Sequence, residues 1–303
     1  MAREGTLAGR TLLITGAARG LGAATARLAA ARGARLSLVG LEPDELERVA
    51  AECGPDAAFF EADITDPDAL EAAVAGTRER FGGLDAVLAN AGIAVGGMVR
   101  SLPPGAFEKV VEVNLIGAYR TVRACLPALI ERRGYVLGVA SIAAAAHPPG
   151  MASYAASKAG VEGFLNATRQ EVEHLGVDVG VAYFPWLATD LVSGGDEHPA
   201  FAFFRSHLRS PFDKTYPVEM AAEALARGLE RRSKRVAVPG WVRAALIARG
   251  VLNQFAERDA RQWGAELDRR YQEELKERGE AATRPIGAGG EAVAEADAVK
   301  ARR

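Results

Sequence analysis

TLLITGAARGLG, from Thr11 to Gly22, is the stretch that decides the fold. Its first five residues, Thr11 to Thr15, are apolar or β-branched and read as a short strand. Glycines follow at Gly16, Gly20 and Gly22, and then an alanine-rich helical stretch runs from Ala23 to Ala31. Strand, glycine turn and helix start together make an arrangement that holds a phosphate. Glycine lets the backbone turn tightly and come close to a ligand. A helix start offers free N–H groups and the positive end of its dipole to an anion. The spacing is G-x-x-x-G-x-G, unlike the G-x-G-x-x-G of the common dinucleotide fingerprint.

Outward from that turn, strands alternate with helices. Further strands are expected at Arg35–Val39, Ala57–Glu61, Leu84–Ala89, Tyr135–Ala140, Val177–Phe184 and Arg235–Val238. Helices are expected at Asp44–Cys53, Pro67–Phe81, Ala106–Arg132, Ser153–His174 and Val218–Arg232. Alternation of this kind predicts an α/β fold, a doubly wound parallel sheet of about seven strands with helices on both faces. The glycine turn, Asn90 and Ser141 all fall at the carboxyl edge of such a sheet, where open α/β sheets bind ligands.

Tyr154 and Lys158 lie four residues apart, and Ser141 lies upstream of them. Four residues is about one helical turn, so the two side chains share a face. A lysine ammonium beside a phenol stabilises the phenolate and lowers the phenol's pKa. A phenol tuned in this way can give or take a proton near neutral pH.

Taken together these motifs resemble the short-chain dehydrogenase/reductase family, in its compact single-domain, Rossmann-fold branch. The resemblance rests on Thr15-Gly16-x-x-x-Gly20-x-Gly22, on Asn90-Ala91-Gly92, on Asp63, and on Asn114, Ser141, Tyr154 and Lys158, over residues 7–240. It implies hydride transfer between a nicotinamide cofactor and an alcohol or carbonyl. Asn114, Ser141, Tyr154 and Lys158 would be the catalytic tetrad. Ser141 would donate to the substrate oxygen, and Tyr154 would exchange its proton. Lys158 would tune the phenol and bond the ribose, while Asn114 would anchor a water. The cofactor would lie on Gly16, Arg19, Gly20, Leu21, Gly22, Asp63, Ile64, Asn90, Ala91, Gly92, Tyr154, Lys158 and Thr189. Within that set, Asp63 would face the adenine, and Asn90 would mainly bond neighbouring strands. Asp66 reads separately as a helix cap.

Two departures from the family pattern matter. Phe184-Pro185 stands where the family carries Pro-Gly, so Trp186 either walls the substrate cleft or packs in the core. Gly40 stands where NAD users usually carry an acid. Its absence removes repulsion of a 2′-phosphate, and Arg19 could pair with one. Against that, Glu42 lies close by. The balance favours NADP(H), with NAD(H) as the alternative. The segment 191–217 falls at the family's variable substrate lid. Its phenylalanines suggest an apolar substrate or simply dock the lid, with Gly194-Gly195 as a candidate hinge.

Beyond residue 240, a helical extension is expected over 241–278, and 279–303 reads as disordered because it is rich in alanine, glycine and charge. Residues 241–255 are apolar with scattered arginines. They could pack on the domain or a second subunit, cover the substrate cleft, or lie on a membrane surface. The net charge of −2 gives no push toward nucleic acid or an anionic membrane. Cys53 and Cys125 form neither a redox pair nor a zinc site, so no metal is expected. The start MAREGTLAGR lacks the apolar core of a secretory signal, no apolar run is long enough to span a membrane, and a cytoplasmic location is expected. The resemblance implies a homodimer or homotetramer acting on a small alcohol or ketone. Two other functions share these motifs in part. One is an epimerase or dehydratase relative, and the other is a non-catalytic cofactor-sensing protein on the same fold.

Overall fold

The structure, a computed structural model, describes residues 7–300. Its strands are β1 (Thr11–Thr15), β2 (Arg35–Gly40), β3 (Ala57–Glu61), β4 (Ala86–Ala89), β5 (Tyr135–Val139), β6 (Asp178–Tyr183) and β7 (Arg235–Ala237). All pair in parallel, in the order β3-β2-β1-β4-β5-β6-β7. The expected doubly wound sheet is therefore what forms.

Successive side chains of a strand point to opposite faces, so each strand feeds two cores. Leu12 and Ile14 of β1 join a buried cluster with Ala26 of α1 (Gly20–Ala31), Leu46 of α2 (Pro43–Cys53) and Leu225 of α9 (Val218–Arg231). Leu13 points the other way, into a cluster with Val74 of α3 (Pro67–Phe81), Val122 of α5 (Gly117–Arg132) and Leu165 of α6 (Ala152–Val172). Asp66 caps α3 as expected, accepting from Asp68 N at 3.0 Å and Ala69 N at 3.3 Å.

Three expectations are corrected. The single helix expected over 106–132 is instead α4 (Pro104–Val111), a π-helical turn over Glu112–Ile116, and α5. The wide turn turns the Asn114 amide onto the backbone of Ile93, which satisfies both its oxygen and its nitrogen. Gly194 and Gly195 are no hinge. They lie inside α7 (Asp190–Asp196), where side chains would run into Gly287 and Phe201. The segment 279–303, expected to be disordered, carries a 3₁₀ turn over Gly279–Thr283 and the helix α12 (Ala288–Lys300). Residues 301–303 lie outside the described residues. Alanine favours a helix once a partner surface is present. Here that surface is given by Ile64 and Val113, against which Val293 is buried, and by Lys109, whose Nζ lies 2.6 Å from Asp297 Oδ1.

The extension also contains α10 (Gly240–Ile247) and α11 (Arg249–Arg278). α11 is fastened to α8 (Pro199–Ser206) by Glu274, which pairs with His198 and sits 3.0 Å from Arg278 Nη1. Its Tyr271 lies over two loop glycines. A side chain at Gly96 would meet Tyr271 Oη at 3.0 Å, and one at Gly150 would meet the ring at 2.7 Å.

Candidate active site

Between β1 and β4 the strand order reverses, and the crevice at that switch point is where a doubly wound sheet binds its ligand. There Gly16 (φ +65°) and Gly20 (φ +53°) both take the left-handed conformation that glycine favours. A side chain at Gly16 would come within 2.8 Å of Ala91 Cα, and one at Gly22 within 2.1 Å of the Gly16 carbonyl oxygen. Glycine is therefore what lets the turn close under the start of α1 and lets the 90–92 segment lie against it. Asn90 fastens the two, as expected: its Nδ2 donates to Thr15 O at 3.0 Å and Gly16 O at 3.3 Å. Thr15 Oγ1 in turn accepts from the N–H groups of Asn90 and Ala91.

One cleft of about 470 Å³ runs along this edge. Gly16, Arg19, Gly20, Leu21, Asp63, Ile64, Asn90, Ala91, Gly92 and Thr189 line it, together with Ser141, Tyr154 and Lys158. Gly22 closes the turn from behind, and Asn114 stands behind Gly92. A side chain at Gly92 would come within 3.0 Å of Asn114 Oδ1 and 3.3 Å of Lys158 Nζ. The residues fit a dinucleotide: a cradle that side chains would fill, a helix start aimed along it, and a lysine at its far end.

Ser141 follows β5 in extended backbone and caps the turn after it, its Oγ accepting from Ala143 N at 3.1 Å. Ser141 and Tyr154 stand together on the cleft wall. Lys158 is buried one turn along α6. Its Nζ donates to Val139 O at 3.0 Å and lies 5.7 Å from the centre of the Tyr154 ring. Asn114 Oδ1 accepts from Ile93 N at 2.8 Å, and its Nδ2 donates to Ile93 O at 2.9 Å and Ser157 Oγ at 3.0 Å.

The expected lowering of the phenol's pKa by the lysine is not found. Burial pushes Tyr154 above the ordinary tyrosine value, and only the neighbouring Ser141 hydroxyl pulls it down. Burial also brings Lys158 down to about 8. Both groups stand in a dry wall, where losing water disfavours either charge. The ammonium lies over the ring rather than on the hydroxyl.

At the β2 end, Arg19 is already engaged. Its Nε lies 2.9 and 3.1 Å from the two Glu42 oxygens, and its Nη1 lies 3.3 Å from Asp190 Oδ2. The Glu42 carboxylate holds the guanidinium's pKa above the ordinary arginine value. Asp63 accepts from Thr65 N at 2.8 Å and pairs with Lys300 Nζ at 2.7 Å. Gly289, Gly290 and Val293 of the last helix line the cleft beside it.

The opposite end is apolar. Trp186, Phe204, Phe212, Leu252, Phe255 and Trp263 line it, with Met151. Trp186 both walls the cleft and packs: its Nε1 donates to Phe212 O at 2.8 Å, and its ring meets Phe201 edge-on at 5.6 Å. Phe201 and Phe204 are buried, so the lid phenylalanines dock the lid and, through Phe204 and Phe212, wall the cleft.

The family model described as short chain dehydrogenase matches residues 10–199. The chain belongs to the short-chain dehydrogenase family. Its members are oxidoreductases of carbonyl and alcohol groups, and this short-chain dehydrogenase is an NAD(P)-dependent enzyme of that kind. It is 31% identical over 186 residues to a 3-oxoacyl-[acyl-carrier-protein] reductase of Vibrio cholerae, covering 61% of this chain and 76% of that one. It is 31% identical over 198 residues to a CLA biosynthesis dehydrogenase/reductase of Lactiplantibacillus plantarum, covering 63% and 69%. Among solved structures, levodione reductase superposes with a TM-score of 0.71 at 29% identity, over 79% of this chain and 99% of that one. A 3-ketoacyl-(acyl-carrier-protein) reductase of Brucella melitensis, complexed with NADH, superposes with a TM-score of 0.70 at 29% identity, over 78% and 98%.

Sequence reasoning missed several cleft residues of this short-chain dehydrogenase. Asp190 as a partner of Arg19 is 171 positions away and left no local signal. Trp263, Val293 and Lys300 come from the extension. An apolar residue inside the charged stretch after Arg258 was the only hint of Trp263, and nothing marked Lys300.

Proposed function

We propose that the enzyme interconverts an alcohol and a carbonyl on an apolar substrate, with Tyr154 as the general acid/base. The observation that carries this reading is that Ser141, Tyr154 and Lys158 stand together on the cleft wall shared by the glycine turn and the apolar pocket. A bound nicotinamide cofactor supplies or accepts the hydride. In reduction, the substrate oxygen gains negative charge beside the Ser141 hydroxyl, which donates to it. Tyr154, held protonated by its surroundings, passes its proton to the same oxygen. The tyrosinate left behind faces the Lys158 cation. Asn114 holds the 92–93 backbone against α6, so Lys158 keeps its place. A screen of apolar and small polar ketones with reduced cofactor tests the reading; absence of turnover across both groups would sink it.

The sign of the pH dependence follows from Lys158. Its pKa of about 8 means the ammonium is present below that pH and lost above it. The rate constant kcat/KM for reduction is expected to fall as pH rises through 8. Lys158→Arg, which stays charged, is expected to remove that limb. A profile flat to pH 10 in the parent enzyme would remove lysine from the mechanism. The same shift bears on stability. The unfolded chain binds more protons between about pH 8 and pH 10.5, so this group's contribution to stability rises with pH across that window.

For the cofactor we infer NAD(H). The balance favouring NADP(H) counted on a free Arg19, and Glu42 and Asp190 both engage it. A 2′-phosphate would have to displace a bidentate carboxylate and sit beside its charge. Glu42→Ala is expected to raise kcat/KM with NADPH about tenfold or more, since 1.4 kcal/mol is a factor of ten and a lost charge repulsion is of that order. Steady-state rates with both cofactors decide it, and a parent enzyme already faster with NADPH would reverse the assignment.

A further inference from the structure

Of the eight large apolar side chains exposed among the described residues, three stand in one row. Ile247, Val251 and Phe255 are 76%, 56% and 61% exposed and follow at four-residue intervals across the junction of α10 and α11. Ala248 separates the two helices: its N–H makes the last bond of α10, to Ala244 O, and its carbonyl takes the first of α11, from Leu252 N, both at 3.0 Å. Val251 and Phe255, four apart on α11, share a face, and Ile247 ends α10 just before it. Ala244 and Ala248 beside them are also exposed. The other side of α10 is already used, since Val242, Ala245 and Leu246 are buried in the domain core.

Basic residues outnumber acidic ones around the row, with Glu257 and Asp259 standing among them. Arg243 precedes it, and Arg258 and Arg261 follow it; all three are exposed. Arg258 lies seven residues past Val251 and so returns to the same face. None of the three joins an ion pair among the described residues. No helix is long and apolar enough to cross a membrane.

We propose that this face docks on an anionic membrane surface. The apolar row enters the boundary between headgroups and acyl chains, and the arginines meet the headgroup phosphates. Two observations favour a bilayer over a second copy of the chain. Three such side chains expose on the order of 400 Å², about half of what each partner buries in a stable protein interface. The arginines at both ends of the row would also face their own copies in a symmetric pair. The row adjoins the apolar end of the cleft, because Leu252, Phe255 and Ala256 line it. Docking therefore opens the cleft toward lipid, and an apolar substrate enters without crossing water. That last step rests on the substrate reading above; the docking does not.

The test is co-sedimentation of the full chain with vesicles of phosphatidylcholine alone or mixed with phosphatidylglycerol. The parent protein is expected to pellet with the mixed vesicles and at least tenfold less with the neutral ones, and added salt weakens the binding. Ile247→Glu with Val251→Glu is expected to reduce that binding at least tenfold. Neither residue lines the cleft, so turnover of a water-soluble ketone stays unchanged. Ile247→Ser with Val251→Ser gives the same result if the charged pair fails to fold. A parent protein that stays in the supernatant with both vesicles overturns the proposal. So does a variant that binds vesicles normally but falls from dimer to monomer in light scattering, which assigns the face to a second copy. A protein that pellets but turns over no substrate keeps the docking and removes only the catalytic reading.

Discussion

Tyr154→Phe is expected to lower kcat about a thousandfold, within the ~10²–10⁴ range of a positioned general acid, and to leave the cofactor's Kd within a factor of two. The phenylalanine ring keeps the packing and loses only the hydroxyl that stands beside Ser141 on the cleft wall. The proton then has no donor at the substrate oxygen, while the glycine turn and the rest of the cradle are untouched. Measuring turnover beside cofactor binding, by quenching of protein fluorescence, separates chemistry from binding. A variant that loses both has lost the fold of the cleft. A variant that loses neither shows that the proton comes from elsewhere.

Gly22→Ala is expected to weaken cofactor binding by two orders of magnitude or more, since one or two lost anion contacts cost roughly 3 kcal/mol. The added Cβ would stand 2.1 Å from the Gly16 carbonyl oxygen and 2.9 Å from Asn90 Nδ2. Both atoms are fixed, the first as backbone and the second through its bonds to Thr15 and Gly16. The turn must open, and the N–H groups at the start of α1 leave their line along the cleft. Gly163→Ala on α6 is the control, because nothing lies within 4 Å of a side chain there. Its affinity stays at the parent value. Equal affinity in Gly22→Ala would show that the turn does not hold the pyrophosphate.

The parts of this enzyme that were legible in its sequence are those fixed by neighbours along the chain. β1, the glycine turn and α1 follow from local backbone demands, and so do Tyr154 and Lys158 on one helical face. The residues around Asn114 look like a plain helix, because a π turn differs from an α turn by one backbone bond rather than by residue type. The pairing of Arg19 with Glu42 and Asp190 depends on where three separate loops end. α12 was hidden for a further reason. Its alanines, glycines and charges bury little by themselves, and only Ile64, Val113 and their neighbours give Val293 a place to go. The phenol's raised pKa was missed because sequence shows which charge is near, and not how much water is lost.

Tyr271 gives the extension a hold on the loops at Gly96 and Gly150. Gly96 has no need of its hydrogen for backbone reasons, yet a methyl there would press on the phenol above it, 3.0 Å from its oxygen. Grafting another family member's carboxyl-terminal segment onto this chain would unroof that spot, and grafting this segment elsewhere would collide with any larger residue there. The two positions form an epistatic pair, so recombination between relatives must exchange loop and helix as a unit.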